Sequence, residues 1–159
     1  MSARGPTPPF PCVVFDLDGT LTAPGTTRPV PGMSDLITAL DARGVLLALA
    51  TSAPTRTARQ VLDALGVLGH FASVAGRGPD GVDAGKDTVV AEALLGLGWS
   101  EAVPGSVLVG DAPGDLAAAR AHDLVPVGVA WGASPASTLW AAGARAVLLA
   151  PADLWALGA

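Results

Sequence analysis

The feature that most constrains this chain is an alternation of short apolar runs of strand length with longer segments whose apolar residues recur at helical spacing. Parallel strands joined by crossover helices produce that pattern, because a parallel strand is covered on both faces and needs a helix-length connection to return. Cys12 to Phe15 reads as the first strand, and Met33, Leu36, Ile37 and Leu40 place a helix over Gly32 to Ala42 that Gly44 stops. Val45 to Ala50 reads as the second strand. A helix opened by Pro54 then carries Val61, Leu62 and Leu65 until Gly66 ends it. Phe71 to Ala75 reads as a short strand, Gly76 to Gly85 as a loop, and Asp87 to Leu97 as a helix with Val90, Ala93, Leu94 and Leu97 inward. Ser106 to Val109 is the clearest strand. A helix from Pro113 to Ala121, strands at Val125 to Val129 and Ala146 to Leu149, and a helix near Pro135 to Ala142 complete the chain. The expected class is α/β.

The 159 residues suit one domain, residues 12–159, preceded by a Pro-rich segment over residues 1–11. A chain that is 50% hydrophobic and 14% charged, with 20 Gly and 14 Pro, fits a buried sheet with many tight turns rather than a disordered segment. Its net charge of -5 argues against a sequence-independent grip on nucleic acid, which requires a basic face. Cys12 is the single cysteine, so no internal disulfide forms. The first residues hold no apolar stretch able to act as a signal peptide, and a cytoplasmic protein is expected. No uncharged apolar run approaches the roughly 18 residues of a membrane span, so no membrane partner is expected.

In open sheets of this kind, ligands bind outside the carboxyl ends of the strands. Those positions are strongly polar here: Asp16-Leu17-Asp18-Gly19-Thr20 after the first strand, Thr51-Ser52 after the second, and Gly110-Asp111-Ala112-Pro113-Gly114-Asp115 after the strand ending at Val109. Four carboxylates thereby gather at one edge. Two unit charges about 4 Å apart repel by roughly 4 kcal/mol at an effective dielectric near 20, a cost that a bound cation removes. All-oxygen ligands favour Mg²⁺, and the Cys and His spacing of a zinc site is absent. Asp111 and Asp115 also suit capping of the helix that Pro113 opens. Lys86 at a helix start faces the positive end of the helix dipole, an unfavourable position unless an anion lies nearby. His70 and His122 have no partner spacing for a metal or a triad and read as surface residues. Arg28, Arg56 and Arg77 read as loop cations at the mouth of the site, and Trp99, Trp131, Trp140 and Trp155 as core or interface packing residues.

These ordered segments resemble the phosphatases of the haloacid dehalogenase superfamily. Asp16 to Thr20 matches the family's first motif, Thr51 its second, Lys86 its third, and Gly110-Asp111 with Asp115 its acidic fourth, in the family's order. Gly128-Val129-Ala130-Trp131-Gly132 is similar to the late segment of phosphoglycolate phosphatase-like members. The resemblance implies a three-layer α/β/α Rossmann-like core with a mainly parallel sheet, and hydrolysis of phosphomonoesters through an aspartyl-phosphate. In that reading Asp16 is the nucleophile and Asp18 the acid and base, while Thr51 and Lys86 hold the phosphoryl group. Leu17, Gly19, Thr20 and Ser52 border the substrate. Mg²⁺ is held by the side chains of Asp16 and Asp111 and the carbonyl of Asp18, with Asp115 acting through bound water or by orienting Lys86.

Phosphoglycolate phosphatase-like proteins carry a helical cap domain between the first two motifs, whereas here about ten residues separate Leu21 from Pro31-Gly32. The expected core therefore has no cap. Specificity then falls to a phosphorylated small molecule, to a larger phosphorylated substrate that covers the site itself, or to a neighbouring subunit acting as a lid in a homo-oligomer. A catalytically silent phosphate- and Mg²⁺-binding regulatory module is the alternative from a different class. A mutase is disfavoured because an open site would lose its phosphoenzyme to water, and a dehalogenase because Asp18 suits a phosphate ester's leaving oxygen.

Overall fold

The computed structural model describes residues 8–78 and 85–158. Its strands are β1 (Cys12–Phe15), β2 (Leu46–Pro54), β3 (Ser73–Arg77), β4 (Val107–Gly110), β5 (Val125–Val129) and β6 (Ala146–Leu148). The helices are α1 (Met33–Ala42), α2 (Thr55–Ala64), α3 (Lys86–Gly96), α4 (Pro113–Ala121) and α5 (Ala136–Ala141). All six strands form one parallel sheet in the order β3-β2-β1-β4-β5-β6. The chain therefore starts in the middle at β1, runs to one edge through β2 and β3, and returns to β4 on the other side of β1.

Side chains alternate across the strands and divide the interior into two layers. Val13 and Phe15 of β1 join Leu47 and Leu49 of β2 and Val107 and Val109 of β4 on one face. There they meet Met33, Leu36, Ile37 and Leu40 of α1 and Ala58 and Leu62 of α2. Cys12 and Val14 point the other way, with Ala48, Ala50 and Leu108, against Val89, Val90, Ala93 and Leu94 of α3 and Ala118 and Ala119 of α4. Full burial of a Leu or Phe stabilises by about 1.5–3 kcal/mol relative to exposure, so these two layers supply the main drive to fold. Leu139 of α5 sits over Gly128, where an added Cβ would lie 2.9 Å from its Cδ1. The expected three-layer Rossmann-like α/β fold is the one observed.

Several boundaries differ from the sequence reading. β2 continues to Pro54, pairing Pro54 with Arg77 after a shift of register beyond Ala50. β3 starts and ends later than Phe71 to Ala75, taking in Gly76 and Arg77, because Gly76 lets the Ala53 carbonyl and the Thr55 N–H approach where a Cβ would otherwise stand. Residues 79–84 of the expected loop, and residues 1–7 of the Pro-rich segment, lie outside the described residues. Phe10, at the end of that segment, is buried in the core. Short 3₁₀ turns at Leu68–His70 and Pro151–Gly158 carried no clear periodic signal.

Trp99, Trp131 and Trp155 pack partly buried against the core, and Trp155 lies under the Arg43 guanidinium at 4.6 Å. Trp140 is 53% exposed, because α5 is short and turns Leu139 rather than its neighbour inward. His70 pairs with Asp41 at 2.6 Å and His122 with Asp87 at 2.5 Å at the surface. Among the described residues no helix is long and apolar enough to cross a membrane.

Candidate active site

Asp16 follows directly on β1, where the strand order reverses and a crevice opens between the carboxyl end of β2 and the loop after β4. Phe15 lies level with Leu49 and Val109, and the Asp16 N–H donates to the Val109 carbonyl at 3.0 Å. Sheet register thus sets Asp16 one residue short of Thr51 and Asp111, so the three gather at the same carboxyl edge.

Lys86, the first residue of α3, reaches into this crevice. Its Nζ donates to Asp16 Oδ1 at 2.9 Å, to the Ala50 carbonyl at 2.6 Å, and to Asp115 Oδ1 at 2.9 Å. An ammonium has three N–H bonds, and all three are used. Burial pulls the ammonium pKa down, but Asp16 and Asp115 outweigh that effect and hold it above the usual lysine value. For Asp16, burial pushes the carboxyl up to about 7; Lys86 opposes the push and the Asp115 carboxylate adds to it.

Asp115 divides its two oxygens between structure and charge. Oδ2 accepts the N–H groups of Asp111 and Ala112, both at 3.1 Å, which closes the turn before α4, while Oδ1 holds Lys86. The capping expected from the sequence and an ion pair with Lys86 thus share one side chain.

Asp111 is 5% exposed, and its Oδ2 accepts the Ala133 N–H at 2.9 Å. Two glycines make room for it: a Cβ at Gly19 or at Gly132 would collide with its side chain. Among the described residues no cation pairs with Asp111. One oxygen each from Asp16, Asp111 and Asp115 lie within 4.8 Å of one another, a group of three carboxylates facing the single positive charge of Lys86. A hard divalent cation such as Mg²⁺ suits such an oxygen set and offsets the remaining negative charge.

Asp18 is exposed at the mouth of the crevice, where its Oδ1 accepts the Gly25 N–H at 2.9 Å from the loop between β1 and α1. That loop is drawn tight: Val30 donates to the Leu21 carbonyl and Ala23 to the Arg28 carbonyl, each at 2.9 Å. Thr51 is buried and turns its hydroxyl to the Ala53 N–H at 3.2 Å, while Ser52 is exposed.

Together these residues line a cavity of about 390 Å³ that brings in Asp16, Asp18, Thr51, Ser52, Lys86, Asp111 and Asp115. Leu17, Gly19 and Thr20 do not line it. The Leu17 side chain is in the core; Gly19 lies beneath Asp111; Thr20 is fully buried, its carbonyl accepting the Trp131 Nε1–H at 3.0 Å. Arg56 and Arg77 line a separate, larger cavity beside α2, and exposed Arg28 lines neither.

The sequence reading did not single out Trp131, Gly132 and Ala133 as site residues. They follow β5 at the same carboxyl edge, and searching that strand end as closely as the others would have found them.

Residues 23–123 match the family of haloacid dehalogenase-like hydrolases. Tyrosine-protein kinase PtkA of Mycobacterium tuberculosis is 39% identical over 102 residues, covering 64% of this chain and 34% of that protein. A phosphoglycolate phosphatase of Mesorhizobium japonicum is 28% identical over 109 residues, covering 69% of this chain and 47% of that one. The chain thus spans about a third to a half of the length of these relatives. In fold it is similar to the crystal structure of a predicted phosphatase from Clostridium acetobutylicum, with a TM-score of 0.82 at 21% identity over 91% of this chain and 96% of that one. The family match takes in α1 to α4 with the carboxyl ends of β2 and β4, and on its extent the chain belongs to the haloacid dehalogenase-like hydrolases.

Proposed function

We propose that this chain is a phosphomonoesterase that works through an aspartyl-phosphate on Asp16. The observation that carries the reading is the pairing of Asp16 and Lys86 at 2.9 Å on the floor of the cavity, with Asp18 two residues away at its mouth. A carboxylate oxygen of Asp16 attacks phosphorus and the bond from phosphorus to the leaving oxygen breaks; the Asp18 carboxyl gives its proton to that oxygen. Asp18 then takes a proton from water as the water attacks phosphorus. Inorganic phosphate leaves and Asp16 is restored. Thr51 and Ser52 at the carboxyl end of β2 receive the phosphoryl oxygens, and Lys86 offsets charge that builds on them.

Asp16 and Asp111, with the Asp18 carbonyl, would hold Mg²⁺, which when bound neutralises phosphoryl charge and favours the ionised form of Asp16. Asp115 acts by holding Lys86 in place. The phosphoglycolate phosphatase relatives support hydrolysis of a phosphorylated substrate. The 39% identity to a tyrosine-protein kinase supports a second reading, in which the acceptor is a tyrosine hydroxyl rather than water.

The test is phosphate release from p-nitrophenyl phosphate and a panel of phosphorylated metabolites, with and without Mg²⁺, for the wild-type chain and Asp16→Asn. Release that requires Mg²⁺ and disappears in Asp16→Asn is expected. Transfer of label from ATP to a tyrosine peptide without hydrolysis of the panel would favour the second reading. Mg²⁺ binding with neither activity would leave the silent regulatory module.

A further inference from the structure

The larger cavity, about 630 Å³, is lined by Pro54, Thr55, Arg56, Arg59, Asp63 and Arg77 among others. In a chain with nine Lys and Arg and a net charge of -5, three arginines around one cavity are a marked concentration of positive charge. Arg56 and Arg59 stand three residues apart on α2 and so share a face. Arg77 comes from β3, whose end is fastened to the start of α2 by Thr55: its hydroxyl accepts the Gly76 N–H at 3.1 Å and donates to the Arg77 carbonyl at 3.4 Å. Asp63 contributes one opposing charge to the wall. Among the described residues neither Arg56 nor Arg59 has a carboxylate within ion-pair distance, and both are exposed.

The two cavities are consecutive along the chain. Thr51, Ser52 and Ala53 line the catalytic one, and Pro54, Thr55 and Arg56 continue into the other. Four residues from Ser52 to Arg56 span at most about 13 Å at roughly 3.3 Å per residue. The wall that begins at Thr51 in the acidic cavity thus passes into the wall that carries Arg56 within a few residues, a separation that one elongated small molecule can bridge.

We infer that the arginine-lined cavity receives a second anionic group of the substrate, so that the preferred substrate is an elongated phosphomonoester with a phosphate or carboxylate at its far end. This rests on the phosphomonoesterase reading for its turnover, though not for its binding. The guanidiniums recognise the distal group by charge-assisted hydrogen bonds, and the apolar stems and walls accept the spacer between the two ends. Among the described residues only a short loop stands between β1 and α1, so this recognition sets specificity.

The experiment compares α,ω-alkanediol bisphosphates of graded length with the matching monophosphates and with ω-phosphoryl carboxylates, in the wild-type chain and in Arg56→Gln/Arg59→Gln. At a favoured length the doubly anionic compounds should show a KM about tenfold or more below the monophosphates. The double variant should lose that advantage while keeping kcat and its activity on p-nitrophenyl phosphate. A carboxylate series matching the bisphosphates identifies the distal group as any anion; a bisphosphate advantage alone identifies it as phosphate. Calorimetric binding of the bisphosphates to Asp16→Asn, with and without the two arginine substitutions, reads the cavity without turnover. Arg-dependent binding with no hydrolysis of any compound would overturn the phosphatase reading and leave this inference standing. Hydrolysis of p-nitrophenyl phosphate with equal KM for mono- and dianionic compounds, unchanged by the substitutions, would overturn the inference alone.

Discussion

The carboxylate of Asp111 occupies the space that a side chain at Gly19 would need, although the two residues come from loops after different strands. Gly19 also has φ 76, in the left-handed region that glycine tolerates best. Gly19→Ala should cost about 1–2 kcal/mol in backbone strain and in addition displace Asp111. Gly66→Ala is the internal control: its φ is 75, but nothing lies within 4 Å of the added methyl. Both variants should unfold at lower denaturant than the wild type. Only Gly19→Ala should also lose Mg²⁺ affinity and at least about tenfold in phosphate release. Equal metal affinity in the two variants would show that Asp111 is not positioned through Gly19.

Asp115 offers a separation of structure from charge. Asp115→Asn can keep an oxygen toward the Asp111 and Ala112 N–H groups while removing the negative charge that faces Lys86. It should lose activity with little loss of stability. Asp115→Ala leaves both N–H groups without that partner and should cost about 1–3 kcal/mol as well. Thermal unfolding measured alongside phosphate release distinguishes the two effects; equal destabilisation by both substitutions would count against the division of labour.

The raised Asp16 carboxyl predicts an unusual dependence on pH. Between 3.8, its ordinary value, and about 7, the folded chain binds more protons at this site than the unfolded chain. Stability in EDTA should therefore fall as pH rises through that window and level off above it, by on the order of a few kcal/mol. Lys86, whose pKa is also raised, contributes fully below 10.5 and does not alter the window. Mg²⁺ competes with the Asp16 proton, so its apparent affinity should climb over the same range. Denaturant unfolding at about pH 5 and about pH 8, with EDTA and with Mg²⁺, tests both statements; stability that rises with pH in EDTA would contradict them.

Cys12 is fully buried, and burial pushes its thiol up to about 12. A thiol reagent at about pH 8 should leave the native chain unlabelled and react fully once denaturant opens the sheet. Fast labelling of the native chain would mean that β1 is not enclosed as described.

Much of this fold was legible because its central strands are short apolar runs stopped by charged residues. Cys12 to Phe15 ends at Asp16, and the strand through Val109 is followed closely by Asp111, so the strand ends and the chemistry announced each other. Less was legible where tertiary contacts override local preference. Thr51 to Pro54 carries no strong strand signal, yet it extends β2 because β3 pairs with it at the edge. Gly76 looks like loop punctuation, but it is required inside a strand by the backbone crossing beside it. The Ala133 N–H that holds Asp111 could not be read from residue type, since any residue except proline supplies that donor.

The short loop between β1 and α1 has a consequence for how this chain could be altered. The Leu21 carbonyl and the Val30 N–H are bonded to each other, so the backbone leaves and re-enters the scaffold at almost one point. A visiting module spliced between them would find two adjacent anchors already fixed, would leave the sheet untouched, and would emerge beside Asp18 at the rim of the crevice. The loop is in effect a docking port for new sequence, and grafting there would change what reaches the carboxylates without rebuilding them.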